Sequence, residues 1–101
     1  MAEKNKPSSQ VVFAKAIADS TRQQIMRYCC CAWRSVTEIV DHMSVTQPTV
    51  SHHLAILREA DLVDVRNEGK QTFYRLNQKQ IADCCGLLSR TFAPEEKSSV
   101  R

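Results

Sequence analysis

The feature that most constrains this chain is a change of hydrophobic period near residue 61. Before that point, apolar residues recur at the three- and four-residue steps of one helix face. After it, residues 62–66 and 72–76 alternate between apolar and polar side chains, as strands do. Asn67-Glu68-Gly69-Lys70 between them has the composition of a tight turn, with glycine at a left-handed position. The pattern predicts a helix that leads directly into a β-hairpin, which is the arrangement of a wing.

Two helix starts lie close together upstream of this hairpin. Ser35, with Glu38 three residues later, is typical of a capping box at the beginning of a short helix. Thr46 then indicates a second cap, with Pro48 in the first turn, where the missing N–H does no harm. The connection at Ser44-Val45 is so short that the pair predicts a helix-turn-helix.

The remaining segments predict three more helices. One follows the polar N-terminal residues, and a second begins at Asp19-Ser20-Thr21, where Ser20 and Gln23 suggest a capping box, and runs into the cysteines. A last helix begins at Asn77 and ends at Pro94. The predicted fold class is mainly α with a β-hairpin wing (α+β), a winged helix-turn-helix of about five helices and a two-stranded wing. We expect a flexible arm at residues 1–9, the winged domain at 10–93 and a flexible tail at 94–101.

Composition excludes several classes of protein. A chain of 101 residues encloses one modest core and no cleft between two lobes. No stretch approaches the ~20 apolar residues of a membrane span, and the N-terminus lacks the apolar run of a signal peptide. The net charge of +3 is mild, so basic residues must be clustered to matter. No convincing nucleophile–base pair is present, which argues against an enzyme, and a cytoplasmic location is expected.

Five cysteines form a run at Cys29–Cys31 and a pair at Cys84-Cys85. The odd count and the neighbouring positions argue against a secreted disulfide scaffold. None of the C-x-x-C spacings of zinc ribbons is present. In a reduced cytosol such thiols indicate soft-metal binding, redox sensing or small buried side chains.

Four segments of the chain carry a family resemblance. They are Ala18–Arg22, Gln47–Leu54, Leu57–Val63 and Gly69–Leu76. In this order, from about residue 12 to 92, the chain resembles the ArsR/SmtB family of bacterial winged-helix repressors, which release DNA when an inducer binds. The resemblance implies a homodimer with the first and last helices at its interface. It also implies a double-stranded operator with two-fold symmetry and an inducer that is a metal, a metalloid or a reactive sulfur or oxygen species.

The predicted DNA contacts lie on the second helix of the helix-turn-helix and on the wing. Short polar side chains can approach base edges in the major groove, and basic residues can contact phosphate. The predicted residues are Gln47, Thr49, Ser51, His52, Arg66 and Lys70, with Arg75 as a further basic residue of the hairpin. His52 and His53 point about 100° apart on a helix, so a shared metal is rejected there and His53 is expected to pack internally. The alternative interpretation is a solvated polar face on a winged protein-interaction module.

The inducer site departs from the positions that the resemblance implies. Residues 35–38, where the family's arsenic and cadmium site has thiols, contain none, and no histidine follows His53 to complete the family's zinc site with Asp83. The remaining candidate ligands are Cys30, Cys31, Cys84 and Cys85, with Cys29 as a further candidate. Three thiolates suit As(III), and three or four sulfurs suit Cd(II) or Pb(II). A trivalent arsenical is therefore the expected inducer. The alternatives are an oxidant or a persulfide as the inducer, or cysteines that are inert core residues. No cofactor is expected to be required.

Overall fold

The structure is a computed structural model that describes residues 9–99, with side chains described to residue 96. Five helices, three strands and a terminal 3₁₀ helix follow one another along the chain. They are α1 (Ser9–Ile17), α2 (Ser20–Tyr28), β1 (Arg34–Ser35), α3 (Val36–Met43), α4 (Gln47–Glu59), β2 (Val63–Glu68), β3 (Gln71–Leu76), α5 (Gln78–Phe92) and the 3₁₀ helix (Pro94–Ser99). The predicted winged helix-turn-helix with five helices is confirmed.

The helix starts follow local side-chain chemistry, with one correction. The Ser35–Glu38 capping box of α3 is confirmed, because the Ser35 N–H donates to Glu38 Oε1 at 2.8 Å and the Glu38 N–H donates to Ser35 Oγ at 3.1 Å. The predicted Ser20–Gln23 box of α2 is wrong. Asp19 caps this helix instead, accepting the Arg22 N–H at 3.0 Å, and a carboxylate is the stronger acceptor of the two neighbouring candidates. Asn77 caps α5 as predicted.

The cysteine run, named here the cysteine turn (Cys29–Cys31), lies outside α2 and not within it. The Cys29 carbonyl accepts the Leu76 N–H at 2.8 Å, and the Cys30 carbonyl accepts the Gln78 side-chain amide at 2.8 Å. Because these carbonyls are bonded to the end of β3 and the start of α5, the chain leaves the helix after Tyr28. The turn is therefore fixed against the base of the wing.

The wing is a three-stranded antiparallel sheet in the order β1-β3-β2. The predicted hairpin is present, in register from Val63 opposite Leu76 to Glu68 opposite Gln71, and Gly69 turns it at a φ of 59°. The sequence did not indicate β1, because a strand of two residues is too short to alternate.

The core fills the space between the helices and the inner face of the wing. Its fully buried larger side chains come from α2, α3, α4, the cysteine turn and the start of the wing: Ile25, Cys29, Ile39, Val50, Leu54, Leu57 and Leu62. Burying a Leu or Ile side chain contributes about 1.5–3 kcal/mol. These contacts hold α3 and α4 at a fixed angle, so the outer face of α4 is presented as a rigid surface.

The C-terminal end carries a short helix within the segment that the sequence predicts as a tail. The helix α5 ends at Phe92, and a 3₁₀ helix begins at Pro94, with the Glu96 N–H donating to the Ala93 carbonyl at 3.2 Å. Proline suits this position because its fixed φ matches the first turn of a helix. Residues 1–8 and 100–101 of the predicted arm and tail lie outside the described residues. No helix between residues 9 and 99 has both the length and the apolar character needed to cross a membrane.

Candidate nucleic-acid interface and thiol pocket

The helix α4 divides into a buried face and an exposed polar face. Val50, Leu54 and Leu57 face the core. The four predicted DNA contacts of this helix are all exposed: Gln47, Thr49, Ser51 and His52. Gln47 lies in the first turn, and the other three lie around the side of the helix that faces away from Val50 and Leu54. The structure therefore presents these four side chains to solvent on a rigid helix, and we name them together the recognition surface.

The start of α4 is set by the short turn that precedes it. Ser44 ends α3 in the left-handed region, with a φ of 59°, and Pro48 lies in the first turn of α4 as predicted. Thr46 occupies the N-cap position but makes no capping bond with its side chain. Its hydroxyl lies 3.0 Å from that of Thr49 instead. This pairing restricts the Thr49 side chain on the recognition surface.

His53 is tied to α2 and not to a ligand. Its Nδ1 lies 3.1 Å from Arg22 Nη1, so Nδ1 accepts and the neutral imidazole carries its proton on Nε2. Arg22 also donates to the carbonyls of Ala16 and Lys15, at 2.6 and 3.0 Å. Burial lowers the pKa of His53 from 6.5, and the nearby Arg22 charge lowers it further. The expected internal packing of His53 is confirmed, and this contact connects α2 to α4.

The wing presents its basic residues in two different ways. Lys70 is exposed beside the turn glycine, at the tip of the hairpin. The Arg66 guanidinium lies over the Trp33 ring at 4.6 Å and pairs with Glu68 at 3.1 Å. Arg75 also lies over Trp33, at 4.5 Å. Lys70 is thus presented at the tip, whereas Arg66 is held on the outer face of the wing.

Two residues at these surfaces were missed by the sequence reasoning. Arg58 lies at the last turn of α4 and lines a groove of about 500 Å³ with Ser51 and Tyr74. Its spacing of two helical turns from Ser51 is a signal that could have indicated it. The sequence assigns Trp33 no role at a surface, and its position beneath Arg66 follows from the pairing of β1 with β3.

Two of the five cysteines are core residues in this structure. Cys29 is fully buried, and burial raises the pKa of its thiol to about 11. Cys84 is also buried, and burial, followed by the neighbouring Cys85 and Asp83, raises the pKa of its thiol. A thiol with a raised pKa carries little thiolate at neutral pH, so both are poor metal ligands and nucleophiles as placed here.

The other three cysteines lie on the cysteine turn and on α5. Cys30 and Cys31 are joined by a disulfide between neighbours, and Cys85 is a free, exposed thiol. Cys30 and Cys85 line one pocket of about 320 Å³ that lies between α1, α2, β3 and α5; we name it the thiol pocket. Its other lining residues are mostly apolar: Phe13, Ile17, Gln23, Met26, Arg27, Leu76 and Ile81.

The structure thus brings together only part of the predicted ligand set. Cys30 and Cys85 share a pocket, and Cys31 bonds to Cys30, whereas Cys84 is buried in the core. Among the residues from 9 to 99 with described side chains, no three His, Cys, Asp or Glu side chains are grouped so as to hold a metal ion. The pocket of one chain therefore holds two cysteines, Cys85 as a free thiol and Cys30 in a disulfide, and not a ring of three or four thiols.

Comparisons with known proteins agree with this architecture. The family model described as "Bacterial regulatory protein, arsR family" matches residues 19–65. The probable mercury resistance operon repressor of Streptomyces lividans is 30% identical over 94 residues, covering 93% of this chain and 74% of the relative. The arsenical resistance operon repressor of Staphylococcus aureus is 32% identical over 69 residues, covering 68% of this chain and 66% of the relative.

A solved structure shows the same fold. The homodimeric winged helix-turn-helix DNA-binding domain from Mycobacterium bovis, determined in solution, has a TM-score of 0.69 and 26% identity, covering 82% of this chain and 77% of that chain. With its recognition surface, wing and these relatives, the chain belongs to the arsR family of bacterial regulatory proteins and is a DNA-binding transcriptional regulator, not an enzyme.

Proposed function

We propose that this protein is a homodimeric repressor that binds a two-fold symmetric operator and releases it when thiols in the thiol pocket bind a trivalent arsenical. The observation that carries the DNA-binding part is the recognition surface. Gln47, Ser51 and His52 are exposed on α4, where they can reach base edges in the major groove. Lys70 at the wing tip reaches phosphate on the adjacent backbone.

Homodimer formation is supported by the apolar surface on α1 and α5. Phe92 is 75% exposed and Val11 is 42% exposed, although both are large hydrophobic side chains. These helices are connected within the chain by a hydrogen bond from Gln10 to Thr91 at 3.1 Å. Covering Phe92 with a second copy would place two recognition surfaces on one assembly, as a two-fold symmetric operator requires.

The thiol pocket carries the inducer part of the proposal. A trivalent organoarsenical bears one carbon substituent and forms two As–S bonds, so two thiols complete its coordination. Once the Cys30–Cys31 disulfide is reduced, Cys30 and Cys85 supply such a pair, and the mostly apolar lining accepts the carbon substituent. Arsenite requires a third thiolate, which the pocket of one chain does not contain. We therefore infer a preference for organoarsenicals, with arsenite, Cd(II) and Pb(II) as weaker inducers.

An operator-release titration tests this proposal. A fluorescent duplex, selected from random DNA by the protein itself, is bound to reduced protein and titrated with phenylarsine oxide, arsenite, Hg(II), Cd(II), Zn(II), peroxide and a persulfide. We expect phenylarsine oxide to release the duplex at the lowest concentration. Cys30→Ser and Cys85→Ser should each raise the half-release concentration at least tenfold, whereas the matched variant Cys31→Ser should not. If every compound leaves the duplex bound, the inducer proposal is wrong.

A second candidate inducer is an oxidant or a persulfide. The disulfide between Cys30 and Cys31 favours it, because oxidation of two neighbouring thiols forms such a bond. In that case peroxide or a persulfide would release the duplex without any arsenical. The same titration separates the two candidates.

A further inference from the structure

Cys30 occupies a position that no other cysteine shares among the described residues. It lines the apolar thiol pocket together with Cys85, and it also lines a second, open pocket of about 430 Å³. Cys31, Arg75 and Lys79 line that second pocket, which we name the outer pocket. Cys30 therefore borders two sites of different polarity, and it has a different cysteine neighbour in each.

The bonding of Cys30 decides whether the thiol pocket has two thiols available to bind an arsenical. In the disulfide with Cys31, Cys30 has no thiol to offer to the thiol pocket. Cys85 alone then remains there as a free thiol, since Cys29 and Cys84 are buried in the core. A trivalent organoarsenical needs two thiols, and it exchanges hydroxyl groups for sulfurs without supplying electrons. It therefore cannot open the disulfide.

We propose that the Cys30–Cys31 pair is a redox gate on the thiol pocket, which a low-molecular-weight thiol opens by attacking Cys31 through the outer pocket. This inference rests on the proposed function, because it concerns the same pocket and inducer. The gate makes the repressor unresponsive to arsenicals while the pair is oxidised and responsive once it is reduced. Cys31 is thus a modification site, and Cys30 is the sulfur that it releases.

The exchange balances as two thiol–disulfide steps. A thiolate RS⁻ attacks Sγ of Cys31, which breaks the Cys30–Cys31 bond and forms a mixed disulfide on Cys31. Cys30 leaves as a thiolate and then takes a proton from water. A second RS⁻ attacks the R-bearing sulfur, giving RSSR and the Cys31 thiolate. Two electrons have then passed from the two small thiols to the cysteine pair.

The geometry selects Cys31 as the sulfur under attack. The side chain of Cys31 is exposed, whereas Cys30 is partly buried, and access decides which sulfur of a disulfide reacts. The carbonyls of Cys29 and Cys30 remain bonded to Leu76 and Gln78, so the cysteine turn is anchored at its base while the sulfurs change partners. The released Cys30 thiol already lies at the wall of the thiol pocket.

The test compares one protein in two oxidation states. Wild-type protein is oxidised with one equivalent of diamide, its disulfide is located by peptide mapping, and operator release by phenylarsine oxide is measured before and after treatment with glutathione, which is then removed. We expect a Cys30–Cys31 link, a half-release concentration at least tenfold above that of the reduced protein, and full recovery after glutathione. Reduced Cys31→Ser should respond as reduced wild type does.

The outcomes that overturn the gate are distinct from failure of the proposed function. The gate is wrong if oxidised and reduced wild type respond alike, if mapping finds another link, if oxidation alone releases the operator, or if reduced Cys31→Ser no longer responds. An unresponsive reduced wild type shows instead that the arsenical proposal itself has failed. In the Cys30→Ser variant, oxidised glutathione should add one glutathionyl group to Cys31. Absence of that adduct would exclude attack through the outer pocket.

Discussion

The recognition surface and the thiol pocket differ in exposure and polarity, so they suit different kinds of ligand. The recognition surface consists of exposed polar side chains on one helix, whose positions are fixed by Val50, Leu54 and Leu57 beneath them. The thiol pocket is walled by apolar side chains from several elements, and only Cys30 and Cys85 give it soft-ligand chemistry. One region suits a long, hydrated polyanion, and the other suits a small ligand that loses its water.

This difference explains how one small chain can separate its two tasks. Operator binding depends on charge and hydrogen bonding at the surface, so salt weakens it. In the proposed function, inducer binding depends on covalent chemistry at sulfur, so we expect reduction and thiol reagents to control it. Variants that damage one region and leave the other intact are the direct way to test the comparison.

The largest expected effect is loss of operator binding in the double variant Ser51→Ala with His52→Ala. Base contacts are worth about 1–3 kcal/mol each, so we expect affinity for the selected duplex to fall at least ~100-fold. Helix content, oligomeric state and reaction of Cys85 with phenylarsine oxide should not change, because both side chains are exposed. A mobility-shift titration measures the affinity.

A matched pair of exposed residues on α2, Ser20→Ala with Gln24→Ala, serves as the control for this variant and should bind as wild type does. Unchanged affinity in the Ser51→Ala, His52→Ala protein would remove α4 from the DNA interface. Loss of helix content would instead assign these residues a role in folding.

The two regions also differ in how far the sequence predicted them. The recognition surface follows from a one-dimensional rule, because a helix with Val50 and Leu54 inward must turn Ser51 and His52 outward. The hairpin around Gly69 was predicted for the same reason. The N-cap of α2 was predicted wrongly because Asp19 and Ser20 are adjacent and both are good caps, so spacing alone cannot decide between them.

The thiol pocket could not be predicted in the same way. Cys30 and Cys85 are distant in sequence, and which cysteine of each cluster faces the pocket depends on where α2 ends and how α5 rotates. The bond from the Leu76 N–H to the Cys29 carbonyl fixes the first of these, and it exists only in the folded sheet. The platform of Trp33 beneath Arg66 likewise depends on β1, whose two residues carry no pattern.

The second prediction concerns the contact that joins the two regions. The Arg22 side chain is only 11% exposed and donates to carbonyls at the end of α1 and to His53 on α4. Arg22→Ala should lower the free energy of unfolding by about 2 kcal/mol, because charged hydrogen bonds are lost and buried acceptors lose their donor. Thermal unfolding at fixed protein concentration measures this.

For Arg22, the exposed Lys15→Ala is the control and should unfold as wild type does. Arg22→Lys keeps the charge but loses the forked geometry, so we expect an intermediate stability. If Arg22→Ala were as stable as wild type, the two regions would not be coupled through this side chain.

A smaller effect is expected at the wing tip. Lys70→Ala should weaken binding a few-fold on every duplex, because a phosphate contact carries no sequence information. In a homodimer that loses two such contacts, the slope of log affinity against log salt should become shallower by about two. Lys79→Ala is the control, since Lys79 already pairs with Asp83 at 2.9 Å. An unchanged slope would show that the wing tip does not contact phosphate.

The smallest effect is expected from the ionisation of His53. Because burial lowers its pKa from 6.5 in the folded protein, the unfolded chain binds its proton first as the pH falls. The free energy of unfolding should therefore decrease as the pH drops below about 6.5 and level off below the folded pKa. The other charged or titratable side chains that face the His53 imidazole are Asp19, Arg22 and His52. The hydrogen bond from the Arg22 N–H lowers the pKa of Asp19 from 3.8, so Asp19 stays ionised throughout this pH range.

His53→Asn separates this titration from the structural role of the side chain. The amide oxygen of asparagine can accept from Arg22 in place of Nδ1, but asparagine does not ionise. We expect the variant to match wild type near pH 8 and to lose less stability than wild type near pH 5, measured by chemical unfolding at both values. Because protonated His53 would also repel Arg22, the operator affinity of the wild type should fall with pH in the same way as its stability. The reaction of the reduced thiol pocket cysteines with phenylarsine oxide should be the same in wild type and His53→Asn. A parallel decline in both proteins would place the acid sensitivity outside the Arg22–His53 contact.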